Sequence, residues 1–158
     1  MSKPSPRMTV DECWEFVTDA HTGILTTLRR DGSPIALPMW FACVDRVIFL
    51  QTRGRKLQRI AHDSRASLLV ESGEHWADLK AVHVSGTAEI VDLDAEISAR
   101  FRAEIDRKYA PFRSQAAMPK DTAEYYAAAI TGVVRLTPSG RLLNWDNAKL
   151  TTELTKGA

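Results

Sequence analysis

The sequence predicts a mainly β protein of the α+β class, in which about six antiparallel strands form a barrel flanked by helices. Two observations lead to this fold class. Short apolar stretches rich in β-branched residues are separated by tight-turn signals, of which Asp31-Gly32 is the strongest. Helical patterns occur at intervals but do not alternate one-for-one with the strands, which excludes a doubly wound parallel sheet.

The first part of the chain is predicted to form a tail, a helix and three strands. Residues 1–8 are rich in proline and serine and are predicted to be a flexible tail ahead of a domain over residues 9–150. Thr9 and Glu12 fit a capping box, and apolar residues follow at helical spacing, so a helix is predicted over residues 9–20. Strands are predicted over residues 23–29, 34–44 and 47–52, and the short turns between them favour an antiparallel meander.

The rest of the chain mixes helices and strands. Helices are predicted over residues 55–62, 93–108 and 122–129, with a loop at 111–120. A buried strand is predicted at 66–70 and a long one at 82–90, where Gly86 indicates a bulge or a close backbone approach. A last strand is predicted over 130–136, with residues 141–145 as its extension and 151–158 as a tail.

The composition is that of one ordinary globular domain. The chain has 158 residues, of which 44% are hydrophobic, with 21 Lys+Arg against 20 Asp+Glu. These fractions exclude collagen-like, disordered and disulfide-scaffold proteins. A net charge of +1 gives no general attraction to nucleic acid or to a membrane surface, so any charge that matters must be local.

The sequence carries no sign of a membrane span, a signal peptide or a metal centre. No apolar run approaches the roughly 18 residues that a span needs, and no hydrophobic segment follows the first charged residues. Cys13 and Cys43 form no CxxC pair, and His75 and His83 have no further ligands beside them. We therefore expect a cytoplasmic protein with reduced cysteines, no membrane association and no metal.

The densest group of charged side chains is a basic cluster between a strand end and a helix start. It contains Arg53, Arg55, Lys56 and Arg59, with His62 and Arg65 just beyond. A helix N-terminus already presents free N–H groups and the positive end of a dipole, so cations in its first turn favour a bound anion such as a phosphate. A solvated basic turn and a weak nucleic-acid patch are the alternatives, and no P-loop or dinucleotide-binding glycine motif decides between them.

Two aromatic segments are candidates for contact with a flat ligand. Pro38-Met39-Trp40-Phe41 is typical of a core strand. Pro38, however, also indicates an edge strand, whose free backbone groups can contact the polar rim of a flat ligand. Trp145 is typical either of a lid on the barrel or of an interface. No nucleophile, general base or carboxylate pair is evident, so an enzyme with this sequence would depend on a cofactor for its reactive atom.

Taken in order, seven segments make a recognisable series. They are Gly23-Ile-Leu-Thr-Thr-Leu-Arg-Arg-Asp-Gly-Ser-Pro34, Leu37-Pro-Met-Trp-Phe41, Val47-Ile-Phe-Leu-Gln-Thr52, Arg53-Gly-Arg-Lys56, Val82-His-Val-Ser-Gly-Thr-Ala88, Val134-Arg-Leu-Thr-Pro138 and Trp145. In this series the chain, over roughly residues 9–150, resembles the pyridoxamine 5′-phosphate oxidase-like split-barrel flavoproteins, including their flavin/deazaflavin oxidoreductase relatives.

The resemblance implies a six-stranded split β-barrel of the FMN-binding type that forms a homodimer, with the cofactor in a groove at the dimer interface. By this resemblance Arg55 and Lys56 would hold the cofactor phosphate, and Gln51, Thr52 and Arg53 would lie beside them. The flat ring would be lined by Leu37, Pro38, Met39 and Trp40, with Trp145 approaching from the partner subunit. The cofactor would be FMN, or alternatively the deazaflavin coenzyme (F-420), and some relatives instead bind haem.

The function implied is that of a flavin- or deazaflavin-dependent oxidoreductase, which transfers a hydride between the cofactor and a small planar conjugated substrate. A non-catalytic flavin-binding or sensing protein of the same fold is the first alternative. A nucleic-acid or partner-binding barrel that uses the Arg53–Arg65 basic face is the second. The residues from Lys149 onward lack the basic motif that reads the substrate phosphate in pyridoxamine phosphate oxidases, so turnover of vitamin B6 compounds is not expected.

Overall fold

The computed structural model describes residues 4–113, 118–128 and 131–155, which contain one curled antiparallel sheet with helices around it. The strands are β1 (Gly23–Leu28), β2 (Pro34–Met39), β3 (Ala42–Val44), β4 (Val47–Arg53), β5 (Arg65–Ser72), β6 (Lys80–Val91), β7 (Thr131–Pro138) and β8 (Leu143–Asp146). Their order across the sheet is β2-β1-β5-β6-β7-β4-β3, and β8 pairs with β6. The predicted fold class is confirmed, with eight strands rather than about six.

The described residues contain five α-helices, of which the first four lie close to their predicted positions and the last lies where no helix is predicted. They are α1 (Val10–Asp19), α2 (Arg55–His62), α3 (Ala95–Tyr109), α4 (Lys120–Ala128) and α5 (Ala148–Thr155). The predicted capping box is present, because the Glu12 N–H donates to Thr9 Oγ1 and the Thr9 N–H donates to the Glu12 carboxylate. Residues 129 and 130, at the predicted boundary between the last helix and the last long strand, lie outside the described residues.

The segment predicted as one strand over residues 34–44 is two strands that lie at opposite edges of the sheet. β2 pairs with β1, and β3 pairs with β4, but β2 and β3 do not pair with each other. The prediction that residues 34–44 form the central strand of a three-stranded meander is therefore wrong. Turn signals identify the two hairpins correctly, but they carry no information about which edge of the sheet each hairpin joins.

The short link between these edges forces the sheet to curl. In a flat sheet the six spacings from β2 to β3 would separate the edge strands by roughly 29 Å, at about 4.8 Å for each spacing. Only Trp40 and Phe41 separate Met39 from Ala42, and a chain of this length spans at most roughly 11 Å. The sheet order and the length of the link together require a barrel that is split between β2 and β3.

The end of the chain runs along the same long strand as β7. β7 pairs with the second half of β6, and β8 pairs with the first half, so both occupy the edge of β6 that β5 leaves free. A Cβ atom on Gly86 would lie 2.1 Å from the Thr137 carbonyl oxygen. The close backbone approach expected at Gly86 is therefore present, and the pairing register continues through it without a bulge.

Part of the predicted N-terminal tail is bonded to β8. The Met8 N–H donates to Asn144 Oδ1 at 2.7 Å, and the Asp146 N–H donates to the Pro6 carbonyl oxygen at 2.7 Å. Met8 is 7% exposed and packs in the barrel core. At the other end, α5 continues to Thr155, within the segment that the sequence predicts as a C-terminal tail.

Two hydrophobic clusters hold the elements together. The larger fills the barrel with inward-facing residues such as Leu25, Leu68 and Leu136. The smaller joins α3 to the outer face of β3 and β4 through Phe49 and Phe101. None of the described helices is long and apolar enough to cross a membrane.

Tyr109, the last residue of α3, holds the link between β2 and β3. Its hydroxyl donates to the Phe41 carbonyl oxygen and accepts from the Phe41 N–H, both at 2.9 Å. Its ring stacks on the Trp40 indole, with the ring centres 4.3 Å apart and the planes 7° from parallel. Both Tyr109 and Phe41 are fully buried, so this side chain satisfies backbone groups that no water reaches.

We expect Tyr109→Phe to lower the free energy of unfolding by about 1–3 kcal/mol, because the Phe41 N–H and carbonyl would both be left buried without partners. Urea denaturation followed by circular dichroism measures this loss. Tyr125→Phe is the matched control, since Tyr125 is 73% exposed. Equal stability of the two variants would show that the hydroxyl does not hold the link.

Candidate functional site

The basic segment predicted from the sequence lies at one end of the barrel. β4 passes directly into α2 through Gly54, which has a φ of 63° and open space around its missing Cβ. Leu57 and Ile60 of α2 are buried in the barrel core, so the helix closes this end. Arg55 and Lys56 therefore lie in the first turn of a helix whose position the core fixes.

The cations of α2 have no carboxylate partner in the part of the chain that the structure describes. Within the described parts of the chain, none of Arg55, Lys56 and Arg59 makes an ion pair. Arg59 Nε donates to Thr27 Oγ1 at 3.0 Å. Burial lowers the pKa of Arg59, and the charges of Arg29 and Arg55 lower it further. We call Arg29, Arg55, Lys56 and Arg59 the α2 cationic cluster.

Two residues of this region behave differently from the sequence-based prediction. Arg65 is removed from the cluster, because its guanidinium binds Asp63 at 2.7 Å and holds the pKa of that carboxyl at about 2. Arg29 joins the cluster although it comes from the end of β1. No local pattern could have identified Arg29, since only the packing of α2 against β1 brings it near Arg59.

A cavity of about 490 Å³ lies between α3, the end of β4 and the link after β2. We call it the α3 cavity. Its lining residues are Trp40, Gln51, Thr52, Arg53, Phe101, Arg102, Ile105, Asp106, Arg113 and Thr131. Its volume is within the range of small-molecule sites, and it brings together Trp40, Gln51, Thr52 and Arg53 from the predicted set.

One wall of the α3 cavity is aromatic. Trp40 is 40% exposed, and one face of its indole is covered by Tyr109. The His21 ring packs edge-on against Phe112 at 4.3 Å and against Tyr109 at 5.4 Å, between ring centres. Trp40 is thus a fixed flat surface at the cavity wall rather than a free side chain.

The remaining predicted residues, three on β2 and one on β8, lie apart from one another. Along β2, successive side chains point to opposite faces of the sheet. Met39 packs against the barrel core, and Leu37 shares the inner face with its cross-strand partner Leu25. Pro38 is exposed on the outer face of the sheet, and Trp145 lies on β8 opposite Ala81. None of these four residues lines the α3 cavity.

The outer face of the sheet carries an apolar row at the level of Pro38. Cross-strand pairing places Pro38, Ile24, Leu69, His83 and Leu143 side by side on strands β2, β1, β5, β6 and β8. Leu143 is 54% exposed. Trp145 lies two residues further along β8 and therefore on the same face. Pro38 and Trp145 thus share one exposed surface, although they do not contact each other within one chain.

A family model describes this arrangement of elements. The model of pyridoxamine 5′-phosphate oxidase matches residues 9–133. The chain belongs to the pyridoxamine 5′-phosphate oxidase family. The match includes α1, the two edge hairpins, the α2 cationic cluster and every residue that lines the α3 cavity.

Solved structures share the family fold. The chain is similar to a conserved hypothetical protein from Mycobacterium tuberculosis, with 27% identity over 96% of this chain and 92% of that one and a TM-score of 0.74. An FAD-binding protein from Mesorhizobium loti has 18% identity over 87% and 94% of the two chains, with a TM-score of 0.63. The heme storage protein from Vibrio cholerae has 16% identity over 87% and 94%, also with a TM-score of 0.63. No curated protein matches the sequence significantly.

Lys108, which lies near the site, is a buried charged residue. The sequence did not lead us to predict it. It is 8% exposed, with its Nζ atom 3.8 Å from the centre of the Phe41 ring and no hydrogen-bond partner among the described residues. Burial lowers the pKa of Lys108 to about 8, although Cys43, Glu104 and Asp19 oppose this shift and Arg107 adds to it. Its spacing from Phe101 and Ile105, on the buried face of α3, is the signal that could have identified it.

Lys108 and Cys43 have opposite effects on stability at alkaline pH. Between the folded pKa of Lys108, about 8, and its ordinary value of 10.5, the unfolded chain binds more protons, so stability rises with pH. Burial raises the pKa of the Cys43 thiol from 9.0 to about 11, and over that interval the folded protein binds more protons, so stability falls. A net rise is therefore confined to the interval before Cys43 begins to titrate.

We expect the free energy of unfolding to rise between pH 8 and 9, by at most about 1.4 kcal/mol per pH unit for this one group. Lys108→Met should remove the rise, while Lys120→Met, at an exposed lysine of α4, should keep it. Urea denaturation at closely spaced pH values measures both. A rise that persists in Lys108→Met would assign the effect to another group.

Proposed function

We propose that this protein is a flavin- or deazaflavin-dependent oxidoreductase that transfers a hydride between its cofactor and a small planar conjugated substrate. The observation that carries the proposal is the α2 cationic cluster. Its α2 members make no ion pair within the described parts of the chain, and the first of them, Arg55, lies two residues after the cavity-lining Arg53. Membership of the pyridoxamine 5′-phosphate oxidase family and the likeness to flavin-binding folds support it.

The cluster fits the phosphate of FMN or of the deazaflavin coenzyme. The charges of Arg29 and Arg55 each repel that of Arg59, and a phosphate dianion beside Arg59 would offset that repulsion. The free N–H groups of the first turn of α2 favour the same ligand. Arg55 and Lys56 would hold the phosphate, and Arg59, fixed by its bond to Thr27, would support them.

The α3 cavity fits a small planar substrate together with the edge of the flat ring system that reacts with it. Trp40 offers a rigid aromatic surface, and Gln51 and Thr52 offer polar groups at the end of β4. A flavin or deazaflavin supplies hydride chemistry when it is bound. The described residues of the cavity would orient the reacting partners and exclude water, and only Asp106 among them is a carboxylate, already bound by Arg113 at 2.6 Å.

A second copy of the chain would complete the site. The apolar row with Pro38 and Leu143 is an exposed sheet face, and Trp145 lies beside it. In a symmetric dimer each such face meets its own copy, so the partner's residues can approach Pro38. We therefore propose a homodimer in which Trp145 acts across the interface.

The compartment proposed for the protein is the cytoplasm. Cys13 and Cys43 are both free, and Cys13 is buried. Free thiols of this kind are typical of a reducing environment. The two free thiols therefore support a cytoplasmic location.

We expect the purified protein to bind FMN or the deazaflavin coenzyme and to reduce an added quinone or enone when the cofactor is supplied in reduced form. Absorption spectroscopy during cofactor titration measures binding, and steady-state reduction of the acceptor measures activity. Tight binding without turnover of any acceptor would favour a non-catalytic flavin-binding protein of the same fold.

Lys56→Ala should weaken cofactor binding by about 1.5–3 kcal/mol, because it removes a charge-assisted contact to the phosphate. Titration calorimetry measures the change. The matched control is Arg65→Ala, which removes a cation of the same segment that Asp63 already neutralises. Wild-type affinity in Lys56→Ala, or an equal loss in both variants, would contradict a phosphate site at α2.

Light scattering should report a dimer at micromolar protein concentration. Leu143→Asp places a charge in the apolar row and should shift the protein towards the monomer, whereas Tyr125→Asp, at an exposed residue of α4, should not. A wild-type monomer in the presence of cofactor would exclude the proposed interface.

A further inference from the structure

The α3 cavity has a local excess of positive charge that the whole chain does not have. Three arginines and one carboxylate line it, namely Arg53, Arg102, Arg113 and Asp106. The Arg113 guanidinium binds the Asp106 carboxylate at 2.6 Å, so these two charges cancel. Within the described ranges, Arg53 and Arg102 make no ion pair. Two uncompensated positive charges therefore face a cavity in a chain whose net charge is +1.

The two unpaired arginines come from two different elements of the cavity lining. Arg53 ends β4, and Arg102 lies on α3. The Arg53 guanidinium lies 4.3 Å from the centre of the Tyr126 ring, and its Nη1 donates to the Tyr126 carbonyl oxygen at 3.3 Å. These contacts fix the orientation of Arg53 but supply no negative charge, so its attraction for an anion is retained.

The rest of the cavity is suited to an apolar, flat body. Phe101 and Ile105 of α3 lie on the same side as Arg102, and the partly exposed indole of Trp40 lies at the cavity wall. Tyr109 stacks on this indole and the His21 ring packs edge-on against it, with ring centres 6.0 Å apart, so the 40% of Trp40 that stays exposed is a fixed aromatic surface. A ligand that satisfies both parts of the cavity has a planar conjugated body and an acidic group.

We infer that the α3 cavity selects planar conjugated carboxylic acids, with Arg53 and Arg102 binding the carboxylate and Trp40 contacting the conjugated body. This inference rests on the proposed oxidoreductase function and names the class of substrate that the site takes. A neutral analogue of the same shape keeps the stacking contact but leaves both arginines without an anion. A purely apolar pocket would bind the acid and its neutral analogue equally well. A preference for the acid over an analogue of the same shape therefore distinguishes this site from such a pocket.

The test compares trans-cinnamate with cinnamamide, which have the same conjugated body and differ in charge. Titration calorimetry on the full-length protein, without FMN and saturated with FMN, gives the two affinities. We expect cinnamate to bind about tenfold or more tightly than cinnamamide, the usual strength of a charge-assisted contact, and to lose affinity as salt is raised. Arg102→Gln and Arg53→Gln should each reduce the preference, and the double variant should abolish it.

The matched control is Arg100→Gln. Arg100 lies on the same helix, binds Asp45 at 2.7 Å and does not line the cavity, so its loss should leave the preference for cinnamate unchanged. Equal affinity for the acid and the amide in the wild type, or an equal effect of Arg100→Gln and Arg102→Gln, would overturn the inference. Loss of cinnamate binding on saturation with FMN would also overturn it, because the acid and the cofactor would then share one site.

The same titrations separate this inference from the proposed function. A protein that prefers cinnamate but binds neither FMN nor the deazaflavin coenzyme would support the acid site and contradict the proposed cofactor. A protein that binds the cofactor and shows no preference for the acid would support the proposed function and overturn the acid site.

Discussion

The paired hydrogen bonds between the Tyr109 hydroxyl and the Phe41 backbone hold the point at which the sheet closes on itself. The edge strands β2 and β3 are joined only through Trp40 and Phe41, so this link keeps the two edges of the curled sheet close together. Tyr109 satisfies the Phe41 amide and carbonyl, which have no strand partner there, and the same ring fixes Trp40 by stacking. Closure of the fold and construction of the cavity wall therefore depend on one side chain.

The candidate site places positive charges close together, which lowers the stability of the folded protein. The α2 cationic cluster holds Arg55 and Arg59 near Arg29 without a carboxylate in ion-pair contact among the described residues, and burial adds to the cost at Arg59. The core contacts of Leu57 and Ile60 keep α2 in place despite this repulsion. An arrangement that is unfavourable by itself and becomes favourable with an anion is what a phosphate site requires.

The segment 37–40 shows why a contiguous motif need not form a contiguous surface. Strand alternation turns Leu37 and Met39 towards the core and Pro38 towards the outer face, while Trp40, just past the strand end, reaches the α3 cavity. The predicted ring-lining set is therefore divided among three environments. Pro38 and Trp145 are brought onto one sheet face only through the pairing of β1, β5, β6 and β8, which no sequence window contains.

The sequence by itself determined the fold class, the first four helices, both edge hairpins and the basic segment at the start of α2, because capping residues, turn residues and apolar periodicity act over a few neighbouring positions. Only the tertiary structure decided that residues 34–44 divide between opposite edges and that Arg29 joins the cationic cluster. It also decided that Arg53 and Arg102 line one cavity. Each of these outcomes depends on which surfaces pack together after the sheet has curled, and hydrophobic burial, which drives that packing, has no direction that a local pattern can specify.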